Sequence, residues 1–330
     1  MKKILNEPAS YVDDMLAGLC TAHPEHYTLA CERVIVRTGG ARRGKVGVVT
    51  GGGSGHLPVF LGYVGQGLLD ACAVGNVFAG PRVADCVAAI EAADGGAGVL
   101  TLYGNYGGDR MNFEMAQEQL ESDSLPLASV RVADDVASAS PAERNKRRGV
   151  AGMVLAFKVA GACAAAGHPL DTVARVANKA AQACHSIGVA LTPCIVPESG
   201  QASFQISDNE IEFGMGIHGE PGLWRGPMKS ADALTDEMLD MLLPELQLSA
   251  GDRMAVLVNS LGATPHEELY IVYRRVAQVL TARGVRPVLP LIGRYATSME
   301  MTGMSLTLMP LDGELEALLT APADCPFWKV

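Results

Sequence analysis

A chain of 330 residues, 48% apolar and only 19% charged, can bury a large core and is long enough for two domains. The formal net charge is −10, and basic residues are scattered apart from Arg42-Arg43 and Lys146-Arg147-Arg148, so there is no cationic stripe for a nucleic-acid backbone. No apolar run reaches membrane-spanning length, and the opening Met-Lys-Lys-Ile-Leu-Asn-Glu puts an acid where a signal peptide needs an apolar core; a cytoplasmic protein without membrane or nucleic-acid partners is expected.

The eight cysteines stand singly among mostly apolar neighbours and read as reduced core thiols, indicating neither a disulfide scaffold nor a zinc site. Cys184-His185 reads as a reactive pair or as a buried helix terminus. Adjacent helical residues point about 100° apart, which favours the terminus.

In chain order, apolar spacing predicts a helix over residues 8–22, a short strand at Val34-Ile35-Val36 and a stronger one at Lys45-Val46-Gly47-Val48-Val49. The second runs into Gly51-Gly52-Gly53-Ser54-Gly55-His56, and a strand ending in a glycine loop is where open α/β sheets keep ligands. The loop is neither a dinucleotide fingerprint nor a Walker loop, since the helix glycine, the ribose acid and Gly-Lys-Ser/Thr are all missing. A helix over 82–93 and a strand over 97–102 follow, ending in Tyr103-Gly104-Asn105-Tyr106-Gly107-Gly108-Asp109. Parallel neighbouring strands would bring His56 and Asp109 to one edge, although Asp109 reads equally as a helix cap or as a catalytic carboxylate.

Farther on, a strand over 127–132 precedes Asp134-Asp135, and helices are predicted over about 142–167 and 171–186. Lys146-Arg147-Arg148 reads as a solvated face or a clasp for those two acids. Past His185 come a strand over 189–192, a hairpin of 204–206 with 211–213, a helix over 231–243, a strand over 253–259, a helix from Pro265 to about 283, and strands over 288–292 and 305–309. The hairpin leads into Gly214-Met215-Gly216-Ile217-His218-Gly219-Glu220-Pro221-Gly222. Four glycines around one imidazole make a shaped loop; His218 is either a turn-capping residue or the centre of a site.

Six segments, in this order, resemble the dihydroxyacetone kinase family, in particular its substrate-binding K subunit: Gly51 to His56, Asn105 to Asp109, Arg147 to Gly152, Gly216 to Gly222, Asn259 to Pro265 and Met301-Thr302-Gly303. The resemblance implies an α/β protein of two α/β domains, each a mostly parallel or mixed sheet flanked by helices. Here they would be residues 1–184, carrying His56 and Asp109, and 185–330, carrying the His218 loop. It also implies a homodimer. The residues matching the family's site are Gly53, Ser54, His56, Leu57, Gly104, Asp109 and His218. In the family the histidine matching His218 bonds covalently to the ketone carbon as a hemiaminal, that matching His56 hydrogen-bonds the substrate, and the aspartate matching Asp109 acts on the hydroxyl that attacks the γ-phosphoryl group.

The resemblance further implies that this chain binds no cofactor itself. ADP or ATP with Mg would sit on a separate L-type subunit, recharged in some members by a phosphotransferase-system M-type subunit. Two positions depart from the family: Leu57 stands where Glu is usual and Gly104 where Lys is common. Either the substrate differs from dihydroxyacetone, with a four-carbon ketose such as erythrulose as the candidate, or a water takes the place of the lysine amine. The rival in another class is a non-catalytic ketone sensor using the same pocket. Asp109 favours the enzyme, because a binder needs His218 more than a base.

Overall fold

The computed structural model describes residues 2–120 and 125–330. After α1 (Tyr11–Ala22), the first six-stranded sheet takes β1 (Tyr27–Cys31), β2 (Val34–Arg37), β3 (Gly47–Gly53), β4 (Ala71–Gly75), β5 (Val99–Gly104) and β6 (Leu127–Val132), ordered β1-β2-β4-β3-β5-β6. Its centre is parallel, β4 with β3, β3 with β5 and β5 with β6, while β1 and β2 close one edge antiparallel. Helices α2 (Val83–Ala93) and α3 (Gly107–Leu120) make the crossovers around β5.

Three glycines expected to form a loop instead finish β3. All seven β3 residues are buried. A Cβ on Gly51 would sit 2.9 Å from the Ala73 carbonyl, one on Gly52 2.3 Å from the Phe60 ring, and one on Gly53 2.5 Å from the Val77 carbonyl. The glycines are needed for close approach rather than for an unusual φ. Strands β1 and β4 were not anticipated; β4 follows Gly62, Gly65 and Gly67, whose turn signals masked a short apolar run.

Helices α4 (Gly152–Ala165) and α5 (Leu170–Ala183) lead to the second sheet, and α4 is buried from Gly152 through Ala164. A helix apolar on every side must be covered on every side. The second sheet comprises β7 (His185–Thr192), β8 (Glu210–Phe213), β9 (Trp224–Pro227), β10 (Arg253–Ser260), β11 (Arg286–Gly293) and β12 (Thr302–Leu311), ordered β11-β10-β12-β7-β8-β9. Only β10 and β11 pair in parallel. Helices α6 (Ala231–Leu242) and α7 (His266–Ala282) pack on it.

One apolar cluster runs through both halves, from Val48 and Leu100 through α4 to Leu257 and Met301. Arg147, fully buried, spans them with a two-pronged pair to Glu245, both contacts 2.7 Å. The last segment, from α8 (Gly313–Leu319) to the chain end, returns to the first half. Lys158 Nζ donates to the Leu318 carbonyl (2.7 Å), Gln66 bridges to Asp324, and the Trp328 ring stands edge-on to Tyr63. Of the cysteines, Cys72, Cys86, Cys163, Cys184, Cys194 and Cys325 are buried and all eight are free thiols. Among the described residues no helix is long and apolar enough to cross a membrane.

Candidate active site

His218 lies in the connection of a hairpin whose strands are β8 and β9, with Phe213 opposite Trp224. The expected partner of 211–213 was 204–206, which forms no strand. Stacking of the Phe213 and Trp224 rings, 5.2 Å apart and nearly parallel, favours the observed register. Gly214 and Gly219 hold φ of 84° and 86°, which a side chain would strain.

Glu220 fastens the imidazole. One carboxylate oxygen lies 3.0 Å from His218 Nδ1, and the other accepts from the His218 backbone N–H at 3.0 Å. Burial raises the Glu220 carboxyl, but His218 and the nearby Arg148 outweigh it and hold it down at about 2. An ionised carboxylate only accepts, so Nδ1 carries a proton, and in the neutral ring the lone pair is on Nε2.

His56 ends a short turn after β3 and is fully buried. Its Nδ1 meets the Thr297 carbonyl at 2.7 Å, so Nδ1 is the donor there too. Burial, with His218 adding to it, lowers its pKa to about 3; the ring is neutral at physiological pH. Its Nε2 is buried with no hydrogen-bond partner. The rings of His56 and His218 stand at right angles, 4.5 Å between centroids, beside Phe78. The segment after β11 clamps this loop, with Met299 N–H on the Gly55 carbonyl (2.9 Å) and Thr297 Oγ1 on the Leu57 carbonyl (2.9 Å). The two histidines thus come from different halves.

Asp109 sits in the first turn of α3, buried, close enough to His218 for the two charges to interact. Its Oδ1 has no hydrogen-bond partner, so it caps nothing through that atom. Burial pushes its pKa up to about 6, although His218 pulls it down. Gly80 makes room, since a Cβ there would lie 2.5 Å from Oδ1. Tyr106 stands edge-on to His218 at 4.5 Å, its hydroxyl buried and unpartnered, and burial holds the phenol well above its usual pKa. At Gly104 a Cβ would meet Met153 Sδ at 3.0 Å and the Tyr106 ring at 3.2 Å.

Of the residues singled out in the sequence, His56, Asp109 and His218 converge, and Gly53 and Gly104 end strands that lead to them. Ser54 and Leu57 line a different cleft, with Lys3, Tyr11 and Arg294. The clasp reading of the basic run holds for Arg148, 2.7 Å from Asp135, whereas Asp134 caps backbone N–H groups of Val150 and Gly152. Tyr106 and Glu220 stood inside quoted motifs without an assigned role. Phe78 and Thr297 left no signal, because only the folded chain brings Thr297 to His56.

Fold and site define an α/β protein in which loops and a helix start from two sheets bring two imidazoles and one buried carboxylate together. The Dak1 domain model matches residues 17–327, and the chain belongs to that family. It is 44% identical over its whole length, and that of the relative, to the dihydroxyacetone-binding subunit DhaK of PTS-dependent dihydroxyacetone kinase 2 from Listeria innocua. It is 40% identical to L-erythrulose kinase from Pectobacterium atrosepticum, covering all of this chain but 56% of that one. Dihydroxyacetone kinase of C. freundii superposes with a TM-score of 0.90 at 33% identity over 99% of this chain and 60% of its own.

Proposed function

We propose that this chain is the substrate-binding subunit of a ketose kinase, holding a short hydroxyketone on His218 for phosphoryl transfer from a nucleotide carried by a partner subunit. The observation that carries the reading is the convergence of buried His56 and Asp109 with partly exposed His218, three groups with different chemistry. His218 Nε2 offers a lone pair fixed by Glu220, His56 Nε2 is an unpartnered acceptor, and Asp109 Oδ1 is an unpartnered carboxylate oxygen.

The chemistry follows from those states. His218 Nε2 attacks the ketone carbon, a C–N bond forms as the carbonyl π bond opens, the ring becomes an imidazolium whose charge the Glu220 carboxylate balances, and the oxygen takes a proton from water to give the hemiaminal. This selects ketones over alcohols. His56, neutral and with Nε2 as an acceptor, orients a substrate hydroxyl but is too weak a base to hold its proton. Asp109, with a pKa near 6, is better matched to remove the proton from the hydroxyl that attacks phosphorus, a contribution of about 10²–10⁴-fold. ADP or ATP with Mg belongs on the partner, in line with the PTS-dependent relative, and a homodimer and cytoplasmic residence complete the reading.

A second substrate is favoured by Gly104. The space beside it is filled by the Tyr106 ring and Met153, so the pocket wall there is aromatic and uncharged rather than cationic. A four-carbon ketose such as erythrulose suits that wall, and L-erythrulose kinase is among the relatives. The test is turnover with a nucleotide-bearing partner subunit, comparing dihydroxyacetone with both erythrulose enantiomers. Higher kcat/KM for erythrulose in the wild type, reversed toward dihydroxyacetone by Gly104→Lys with Met153→Ala to make room, supports the second reading. Equal preference in both proteins removes it. No turnover of any ketone with a competent partner leaves the sensor reading.

A further inference from the structure

Among the described residues, His23, Glu25 and His26 form the one group of three metal-ligand side chains whose donor atoms all lie within 4.8 Å of one another. They share no residue with the ketone pocket and sit in the tight turn between α1 and β1. Both imidazoles point Nδ1 at the same oxygen, Glu25 Oε1, His26 at 3.0 Å and His23 at 4.0 Å. We propose that this turn is a binding site for a first-row divalent transition ion, Zn2+ foremost, with His23 Nδ1, Glu25 and His26 Nδ1 as ligands.

Two features set it apart from a surface ion pair. The first is the far nitrogen of His26. Its Nε2 lies 3.4 Å from Asp324 Oδ1, a carboxylate that also pairs with Lys329. A metal-bound histidine characteristically gives its other ring N–H to a carboxylate, which fixes the tautomer and leaves the bonding nitrogen free. Without an ion His26 Nδ1 donates to Glu25 Oε1 at 3.0 Å; an ion would displace that proton, and Asp324 beside Nε2 favours the tautomer that leaves Nδ1 free to bind it.

The second is a backbone set before any ion arrives. His26 N–H and Tyr27 N–H both donate to the His23 carbonyl at 3.0 Å, Thr38 N–H donates to the His26 carbonyl at 2.9 Å, and Thr38 Oγ1 to the Pro24 carbonyl at 2.9 Å. Pro24 further limits the turn. Tetrahedral Zn2+ with bonds of about 2.0–2.1 Å needs neighbouring donors about 3.4 Å apart, a spacing that 3.0 and 4.0 Å bracket. The side chain that must close in is His23, which is 35% exposed and stands edge-on to His26 and Tyr27. A fourth position stays open to water. Two imidazoles and one carboxylate suit Zn2+, Co2+ and Ni2+, and not Mg2+ or Ca2+, which take oxygen donors. Binding would tie the α1–β1 turn, through Asp324, to the C-terminal hairpin.

The test uses tag-free, metal-stripped protein titrated with Co2+ and then Zn2+. One Co2+ per chain should bind with the visible bands of a low-symmetry, four-coordinate ion, Zn2+ should displace it, and excess Mg2+ should leave the bands unchanged. His23→Ala and the surface change Glu25→Gln should each weaken binding by at least about 10-fold with the metal-free melting temperature unaltered, and Asp324→Asn by about 10-fold through the His26 tautomer. The proposal is overturned if wild-type protein leaves Co2+ in its six-coordinate aqueous form, or if His23→Ala and Glu25→Gln bind as wild type does. An unaltered affinity in Asp324→Asn removes its orienting role.

Discussion

Two imidazoles at right angles, 4.5 Å between centroids, differ in chemistry because they lean on different partners. His56 rests on a carbonyl in a dry place and stays neutral, while His218 rests on an ionised carboxylate that can stabilise a positive ring. Replacing Glu220 by Gln removes a charge-assisted hydrogen bond of about 1.5–3 kcal/mol, so kcat/KM should fall roughly 10–150-fold with the fold intact. Wild-type kinetics in that variant would mean that Glu220 does not position His218. Asp109 makes a paired prediction about activity and stability. Its folded pKa of about 6 lies above the ordinary 3.8, so the fold disfavours the carboxylate. The sign follows: this cost is absent below pH 3.8, grows as pH rises and is complete above about 6, reaching at most about 3 kcal/mol. Asp109→Asn should therefore abolish turnover yet melt higher than wild type at pH 7, with the gap closing toward pH 4. The wild-type rate should fall as pH drops through about 6. A variant that melts lower at pH 7 would contradict the buried, unpaired carboxylate.

At the scale of elements, the pocket depends on strands that approach too closely for side chains. Gly53→Ala would set a Cβ 2.5 Å from the Val77 carbonyl, which accepts from the Gly55 N–H at 2.7 Å, and should displace the His56 turn. Loss of ketone binding by calorimetry, with secondary structure by circular dichroism retained, is the expected result. This element also shows what was legible in the sequence and what was not. Apolar runs followed by glycine clusters located β3 and β5 and their C-terminal loops, because buried parallel strands read as continuous apolar segments. The end of β3 was misplaced because glycine signals both a turn and a close approach, and only the facing Phe60 and Val77 decide between them. The partner of β8 was misjudged for a related reason. The turn signal at Asp208-Asn209 was local, whereas the ring that stacks on Phe213 comes from Trp224, across the His218 loop. Of the site, the three converging residues were legible through their motifs; Thr297 and Phe78, which set the state of His56, were not, since no local pattern encodes a contact across 241 positions.

For the whole molecule, the site is only as sound as the seam between its halves, for His56 and Asp109 come from one and His218 from the other. Arg147 is a main tie across that seam, fully buried and paired at both prongs with Glu245, which also lies 3.7 Å from His185. Removing one partner leaves a buried charge uncompensated, so Glu245→Gln should cost about 3–5 kcal/mol by urea denaturation, whereas Arg147→Met with Glu245→Leu should cost less than either single change. Because one apolar cluster runs through both halves, unfolding should remain a single transition. Two resolved transitions would show that the halves are independent.

The central claim, a covalent ketone on His218, is tested most directly by carbon NMR of the protein with dihydroxyacetone and erythrulose, each labelled at the carbonyl carbon. The hemiaminal carbon is tetrahedral and resonates far from a ketone carbon. The account predicts a tetrahedral signal that is lost in His218→Ala and retained in Asp109→Asn. A signal that survives His218→Ala, or ketone binding with no tetrahedral carbon, would contradict it.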